Sequence, residues 1–252
     1  MGRELAQEYD AAFFEICAIE SRRSAEVVVP LIKRLVRPTS VLDVGCGTGA
    51  WLLEWINNGV PDILGLDGDY VSTTTLRMPP ENFRPADLQK PFSLNRRFDL
   101  VQSLEVAEHL DESYADTFVT SLVAHADTVL FSAAIPGQGG THHVNEQWPS
   151  YWIEKFARHG LRVFDIIRPV IWTDPRVGNY YRQNMLLFSK SADFGLGSAL
   201  VDVVHPDYWK TAKDSRLSLR EVVKSFPGAV SAAACKRLPL PAKRRGRLRF
   251  HA

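Results

Sequence analysis

Val41-Leu42-Asp43-Val44-Gly45-Cys46-Gly47-Thr48-Gly49 decides the fold. A short apolar run bounded by glycines reads as a buried strand, and Ala50–Asn57 after it has helical character. Strand, glycine loop and helix in that order form a ligand cradle: glycines let the backbone approach closely, and the helix start favours anions or polar groups. Gly45, Gly47 and Ala50 also satisfy the dinucleotide fingerprint. Asp43 separates the two readings. Beside a pyrophosphate its carboxylate would be repelled, whereas beside a sulfonium with an amino group it would be attracted. Asp67, 22 residues after Gly45, ends the next strand signal, where a carboxylate can accept from ribose hydroxyls.

Outward from that loop, strand and helix signals alternate as in a parallel sheet with crossover helices. Strands are expected at Val41–Val44, Ile63–Leu66, Phe98–Leu104, Thr128–Ala133, Leu161–Ile167 and Met185–Ser189, with a weak one near Phe83–Ala86. Helices are expected at Ala50–Asn57, Tyr114–Ala124 and Ser150–His159, and across most of the first forty residues. The organisation expected is a helical cap over 1–38, a core over 39–191 and an extension over 192–252. A helix at Leu217–Ser225 and a Pro- and Arg-rich tail from Leu238 belong to the extension. Pro136–Trp148 and Pro169–Asn184 read as long loops, which in compact domains usually carry function.

Composition bounds the classes. The 252 residues are 45% apolar and 23% charged, ordinary globular values. Cys17, Cys46 and Cys235 have neither a disulfide framework nor metal-ligand spacing. No apolar run is long enough for a membrane span and no secretory signal is evident, so the cytoplasm is the default expectation. Net charge is +1, but Lys236–Phe250 holds seven basic residues and no acid. A mildly acidic body argues against a nucleic-acid substrate, although the tail could touch phosphates.

The stretch VLDVGCGTG resembles the class I S-adenosylmethionine-dependent methyltransferases, and the likeness runs from about Ser40 to Ser189. It implies a Rossmann-like α/β fold with a seven-stranded, mostly parallel sheet whose last strand is antiparallel. It also implies a cofactor site from Asp43, Gly45, Cys46, Gly47, Gly49, Asp67, Gly68, Asp87, Leu88 and Leu104. In that family Asp67 would hold the ribose and Asp87 the adenine amino group.

Glu105-Val106-Ala107-Glu108-His109-Leu110 follows the fourth expected strand. If a helical turn starts there, Glu105, Glu108 and His109 share one face. Such a face either takes the acceptor's proton through His109, with His143 and Glu108 as further catalytic candidates, or holds a divalent cation such as Mg2+. Glu105, Glu108, His109 and the loop residue His143 together resemble the metal site of ubiquinone-biosynthesis O-methyltransferases and small-RNA 2′-O-methyltransferases. His142, Trp148, Tyr180, Tyr181 and Arg182 are candidates to bind the acceptor, because aromatic walls with a few polar groups suit sugars and phenols. Trp152 and Phe156 read instead as one core-facing helix stripe, and Tyr9 and Phe13 as helix packing or a lid.

The expected activity is O-methylation of a small-molecule or glycan hydroxyl by a monomer or homodimer. RNA ribose methylation, N-methylation and a non-catalytic cofactor-binding scaffold remain as alternatives.

Overall fold

The computed structural model describes residues 11–190 (side chains from residue 19), 194 and 202–208. The sheet strands are β1 (Ser40–Val44), β2 (Asp62–Asp67), β3 (Phe83–Pro85), β4 (Leu100–Leu104), β5 (Thr128–Ser132), β6 (Arg162–Phe164) and β7 (Leu186–Ser189). Their order is β3-β2-β1-β4-β5-β7-β6. All neighbours are parallel except β7, which runs antiparallel to both β5 and β6. This is the expected α/β fold.

The helices are α1 (Ala11–Val36), α2 (Ala50–Asn57), α3 (Ala115–His125), α4 (Pro149–Arg158), α5 (Arg168–Ile171) and α6 (Asn179–Asn184). They cover both faces of the sheet, which explains why the strands read as nearly continuous apolar runs. Successive strand residues feed opposite cores. Leu42, Val101, Phe131 and Phe188 pack with Phe118, Trp152 and Phe156 on one side. Val41, Leu100, Leu130 and Leu187 pack with Val28, Ile32, Leu52 and Trp55 on the other. Trp152 and Phe156 are thus the core stripe the spacing indicates. The C-terminal half of α1 is likewise part of the core, through Ala25, Val28, Val29 and Ile32.

Two expectations are corrected. Leu161–Ile167 yields only the three-residue β6, because Ile167 begins the turn into α5. The segment Pro169–Asn184 is not one long loop but contains most of α5 and all of α6. Its aromatics are placed by helical rather than loop geometry. Tyr9, Leu217–Ser225 and the basic tail lie outside the described residues, as does the Phe13 side chain. Among the described residues no helix is long and apolar enough to cross a membrane.

The topology fixes where a ligand can sit. The chain leaves β1 toward β2 on one side, while β4 flanks β1 on the other. A crevice opens at the carboxyl ends of strands where the order reverses in this way. Gly45 leaves β1 at that point and Glu105 leaves β4 beside it, with Asp43 registered against Gln102.

Candidate active site

The glycine loop is shaped by its neighbours. Gly45 has φ of 85°, and a Cβ there would come within 2.3 Å of a Val106 methyl. Only glycine meets both demands, and the contact locks the β1 loop to the segment after β4. At Gly47 the same Cβ would meet nothing within 4 Å, so open space lies against the backbone. A close-approaching ligand needs such a cradle. Cys46 turns its side chain into the core, near Gly65 and Leu52, so only its backbone faces the loop. Leu104 and Leu88 are buried apolar residues at the ends of β4 and just beyond β3.

Two carboxylates line this cradle. Asp43 is buried, and burial lifts its pKa to about 7, opposed by the Gln102 amide and aided by the charge of Asp67. Asp67 accepts from the Gly47 and Gly68 amides, each at 2.7 Å, and from the Tyr70 hydroxyl at 2.6 Å. Burial raises its pKa and these three donors oppose the rise. Tyr70, which sequence reading passed over, lies so close over Gly68 that a Cβ there would strike its ring at 2.1 Å. Asp87 lies beyond β3, exposed and paired with Lys90 at 2.9 Å. That salt bridge lowers its pKa.

The acid–histidine segment differs from the single helical face expected. Glu105 takes a left-handed φ of 56°, and only Ala107–His109 form a 3-10 turn. Glu105 is therefore off the helical face expected, although its charge still reaches Glu108 and His143. Its carboxylate accepts from Gln138 Nε2 at 2.9 Å and Asn184 Nδ2 at 3.1 Å. Glu108, His109 and His143 do converge, with one potential ligand atom each within 4.8 Å of the others. The His109 and His143 rings stand edge-on with centroids 4.9 Å apart.

The histidine loop is tied to this turn through main chain. The Glu108 carbonyl accepts from the Val144 amide at 2.9 Å and the Asn145 amide at 3.0 Å. His143 fits because Gly140 has no side chain; a Cβ there would lie 2.3 Å from Nε2. His143 Nδ1 meets Glu146 Oε1 at 3.0 Å, and the Gly137 and Gly139 amides donate to the same carboxylate at 2.7 Å each. Burial pushes the Glu146 pKa up, but these hydrogen bonds outweigh it and hold it low. The sequence reading assigned Glu146 no role, and its spacing from His143, i to i+3, was the available signal.

Electrostatics mark the cluster. Glu108 is fully buried and, among the described residues, neither carboxylate oxygen receives a well-formed hydrogen bond. Burial and then the Glu105 charge push its pKa well above the usual range. Burial and the facing His143 bring His109 down to about 4, so its ring is neutral near pH 7. A buried, underpartnered carboxylate beside two imidazoles suits a proton or a divalent cation.

The acceptor-binding candidates divide. Trp148 caps the start of α4 with its ring partly exposed, and His142 is exposed in the histidine loop. Tyr181 is corrected to a core residue: it is buried, takes the Trp51 Nε1–H at 3.2 Å and meets Ser21 at 3.1 Å. Tyr180 donates to Glu20 at 3.0 Å, so it too fastens α6 to α1. Arg182 reaches the Trp172 carbonyl at 3.2 Å and Asp207 at 3.3 Å. The helical twist of α6 turns these side chains toward structural partners, while Asn184 reaches Glu105 and Gln138.

A family model described as a methyltransferase domain matches residues 6–165. Among solved structures, DesVI of Streptomyces venezuelae aligns with a TM-score of 0.53 at 16% identity, covering 69% of this chain and 93% of its own. Magnesium protoporphyrin IX methyltransferase (ChlM) from Synechocystis PCC 6803, with bound SAH, aligns at 0.53 and 15% identity, covering 76% and 100%. The methyltransferase domain of bacterial CtHen1-C aligns at 0.51 and 20% identity, covering 68% and 100%. At these identities the likeness establishes the fold. No curated protein matches the chain.

Proposed function

The chain belongs to the methyltransferase domain family, whose methyl donor is S-adenosylmethionine, and on that footing we propose that it methylates a hydroxyl oxygen of a small molecule or glycan. The observation that carries this reading is the convergence of Glu108, His109 and His143 at the crevice end of β4, locked to the glycine loop by the Val106–Gly45 contact.

In this reading Asp43 and Asp67 hold the cofactor's cationic and ribose ends, and the open face of Gly47 admits it. The acceptor oxygen attacks the sulfonium methyl carbon in line. An O–CH3 bond forms, the S–CH3 bond breaks with its electron pair going to sulfur, and S-adenosylhomocysteine leaves. The hydroxyl proton goes to an imidazole of the cluster. His109, neutral near pH 7, and His143, oriented by Glu146, are the two bases in reach of that space. Positioning of donor and acceptor supplies the rest of the rate enhancement.

The orphaned oxygens of Glu108 beside two imidazoles also fit a divalent cation. Glu108, His109 and His143 would hold it, with Glu105 behind them. Such an ion, when bound, polarises a hydroxyl so that its proton leaves at neutral pH.

Methyl-labelled S-adenosylmethionine and a cell extract test the assignment, with and without EDTA. Label in alkali-stable, ribonuclease-resistant material supports it, and EDTA sensitivity adds the metal. Ribonuclease-sensitive or alkali-labile label refutes the acceptor class.

A further inference from the structure

The segment Asp202–Tyr208 lies beyond the region matched by the family model. It is nevertheless pinned to α4 just after the histidine loop and to α6 beside Asn184. At one end Asp202 accepts from Ser150, from the amide at 3.0 Å and the hydroxyl at 2.8 Å. Ser150 opens α4, directly after the histidine loop. In the middle, Gln183 of α6 donates to the Val203 carbonyl at 2.6 Å and accepts from the His205 amide at 2.5 Å. His205 is buried against the Trp172 ring, centroids 4.4 Å apart, with Nε2 2.7 Å from the Trp172 carbonyl.

The anchor is itself rigid. Arg168, buried, grips Asp165 through two nitrogens at 2.8 and 2.6 Å and donates to the Gln183 carbonyl at 3.2 Å. Gln183 precedes Asn184, which holds Glu105. The strap therefore spans from the histidine loop's exit to the residue beside Glu105's partner. Those are the two flanks of the cluster.

Its end brings Tyr208 into the electrostatic reach of Glu105, Glu108 and Glu146, together with Arg182. Its Val204 is exposed, two residues beyond Asp202, while Trp148 is exposed two residues before the Ser150 that Asp202 grips. Val144 of the histidine loop is exposed as well. Carboxyl groups on the inner side offer hydrogen-bond partners to hydroxyls, and exposed Trp148, Val144 and Val204 favour a flat, weakly polar face.

Building on the O-methyltransferase reading, we propose that the strap Asp202–Tyr208 is the outer wall of the acceptor site. Tyr208 ends the wall, which is pinned to α4 by Asp202 and to α6 through Gln183, and the wall selects ring-shaped hydroxyl compounds.

The full-length chain and its Tyr208→Ala, Tyr208→Phe and Asp202→Ala variants test this in three ways. S-adenosylhomocysteine affinity by calorimetry reports that each variant folds. Diethyl pyrocarbonate labelling of His143, followed by peptide mass spectrometry, reports the wall without any acceptor. Transfer of labelled methyl into a cell extract reports the site.

Unchanged cofactor-product affinity is expected, with His143 modified about tenfold faster in Tyr208→Ala and faster in Asp202→Ala. Tyr208→Phe keeps the ring and stays near wild type in His143 protection. Label transfer is expected to fall about tenfold in Tyr208→Ala. His143 modified at the wild-type rate in both Tyr208→Ala and Asp202→Ala would overturn the proposal, as would wild-type label transfer by Tyr208→Ala. If the wild type labels no hydroxyl compound while Tyr208→Ala still unmasks His143, the O-methyltransferase reading fails and the wall stands.

Discussion

Asp43 gives the sharpest test of the cofactor site. Burial places its pKa at about 7 in the free protein. A ligand carrying an ammonium or sulfonium beside it favours the ionised carboxylate. Below that pKa the site must first lose a proton. At about pH 6 roughly one molecule in ten is ionised, and at about pH 8 roughly nine in ten. Affinity for S-adenosylhomocysteine should therefore rise about tenfold across that window, some 1.4 kcal/mol. The stability of the free protein should move the other way. A pKa raised on folding means that the fold holds the proton more tightly than the unfolded chain. The stabilisation is full below the unfolded value of 3.8 and is lost as pH rises through about 7. Calorimetric titration at the two pH values measures the first effect and thermal melts measure the second. Asp43→Asn is the control, because it shares the ligand's own titration and removes that of the carboxylate. Equal pH dependence in wild type and Asp43→Asn would refute the reasoning.

Three further predictions concern the scaffold and cradle. Gly45→Ala drives a Cβ into Val106 at a left-handed φ, so a loss of about 2 kcal/mol or more in urea unfolding is expected, with S-adenosylhomocysteine binding impaired. Tyr70→Phe frees the Asp67 Oδ1 from the phenol, and S-adenosylhomocysteine should bind several-fold tighter by calorimetry, the effect of about 1 kcal/mol for one competing hydrogen bond. Arg168→Met leaves the half-buried Asp165 carboxylate without its partner and loosens Gln183, so denaturant melts should show a loss of about 3 kcal/mol.

The parts of the fold legible in the sequence were those governed by local pattern. Val41–Val44 between Ser40 and Gly45 could only be a buried strand, and Ala50–Asn57 emerges with the boundaries its spacing indicates. Asp43, Gly47 and Asp67 share the cradle because the strand–loop–helix unit and the next strand are joined by short-range topology. The convergence of Glu108 and His109 with His143 was readable from the adjacency of β4 and β5. What escaped depended on backbone detail or distant partners. Glu105 was assigned to a helical face, but its left-handed φ turns it to Asn184 and Gln138. Tyr180, Tyr181 and Arg182 looked like loop aromatics beside a guanidinium. A six-residue helix instead turns them toward Glu20, Trp51 and Asp207. His205 carries no local motif, and its buried place is set by Gln183 and Trp172, more than twenty residues away.

The surroundings of Glu108 differ from those of Glu146. A structural carboxylate at that depth would have donors arranged around it, as Glu146 has from His143, Gly137 and Gly139. Glu108 has two imidazoles nearby and no comparable set of donors among the described residues. Leaving a buried acid so placed costs stability, and the proposed function gives Glu108 a proton or a cation to hold.

The most direct test of the central claim is to identify the atom that receives the methyl group. Transfer from S-adenosylmethionine carrying a carbon-13 methyl, followed by NMR of the labelled product, distinguishes oxygen from nitrogen. Glu108→Gln, with its S-adenosylhomocysteine affinity confirmed, is run beside the wild type. The prediction is an O-methyl resonance in the wild type and loss of most of that signal in Glu108→Gln. An N-methyl resonance, or full O-methyl signal from Glu108→Gln, would contradict it.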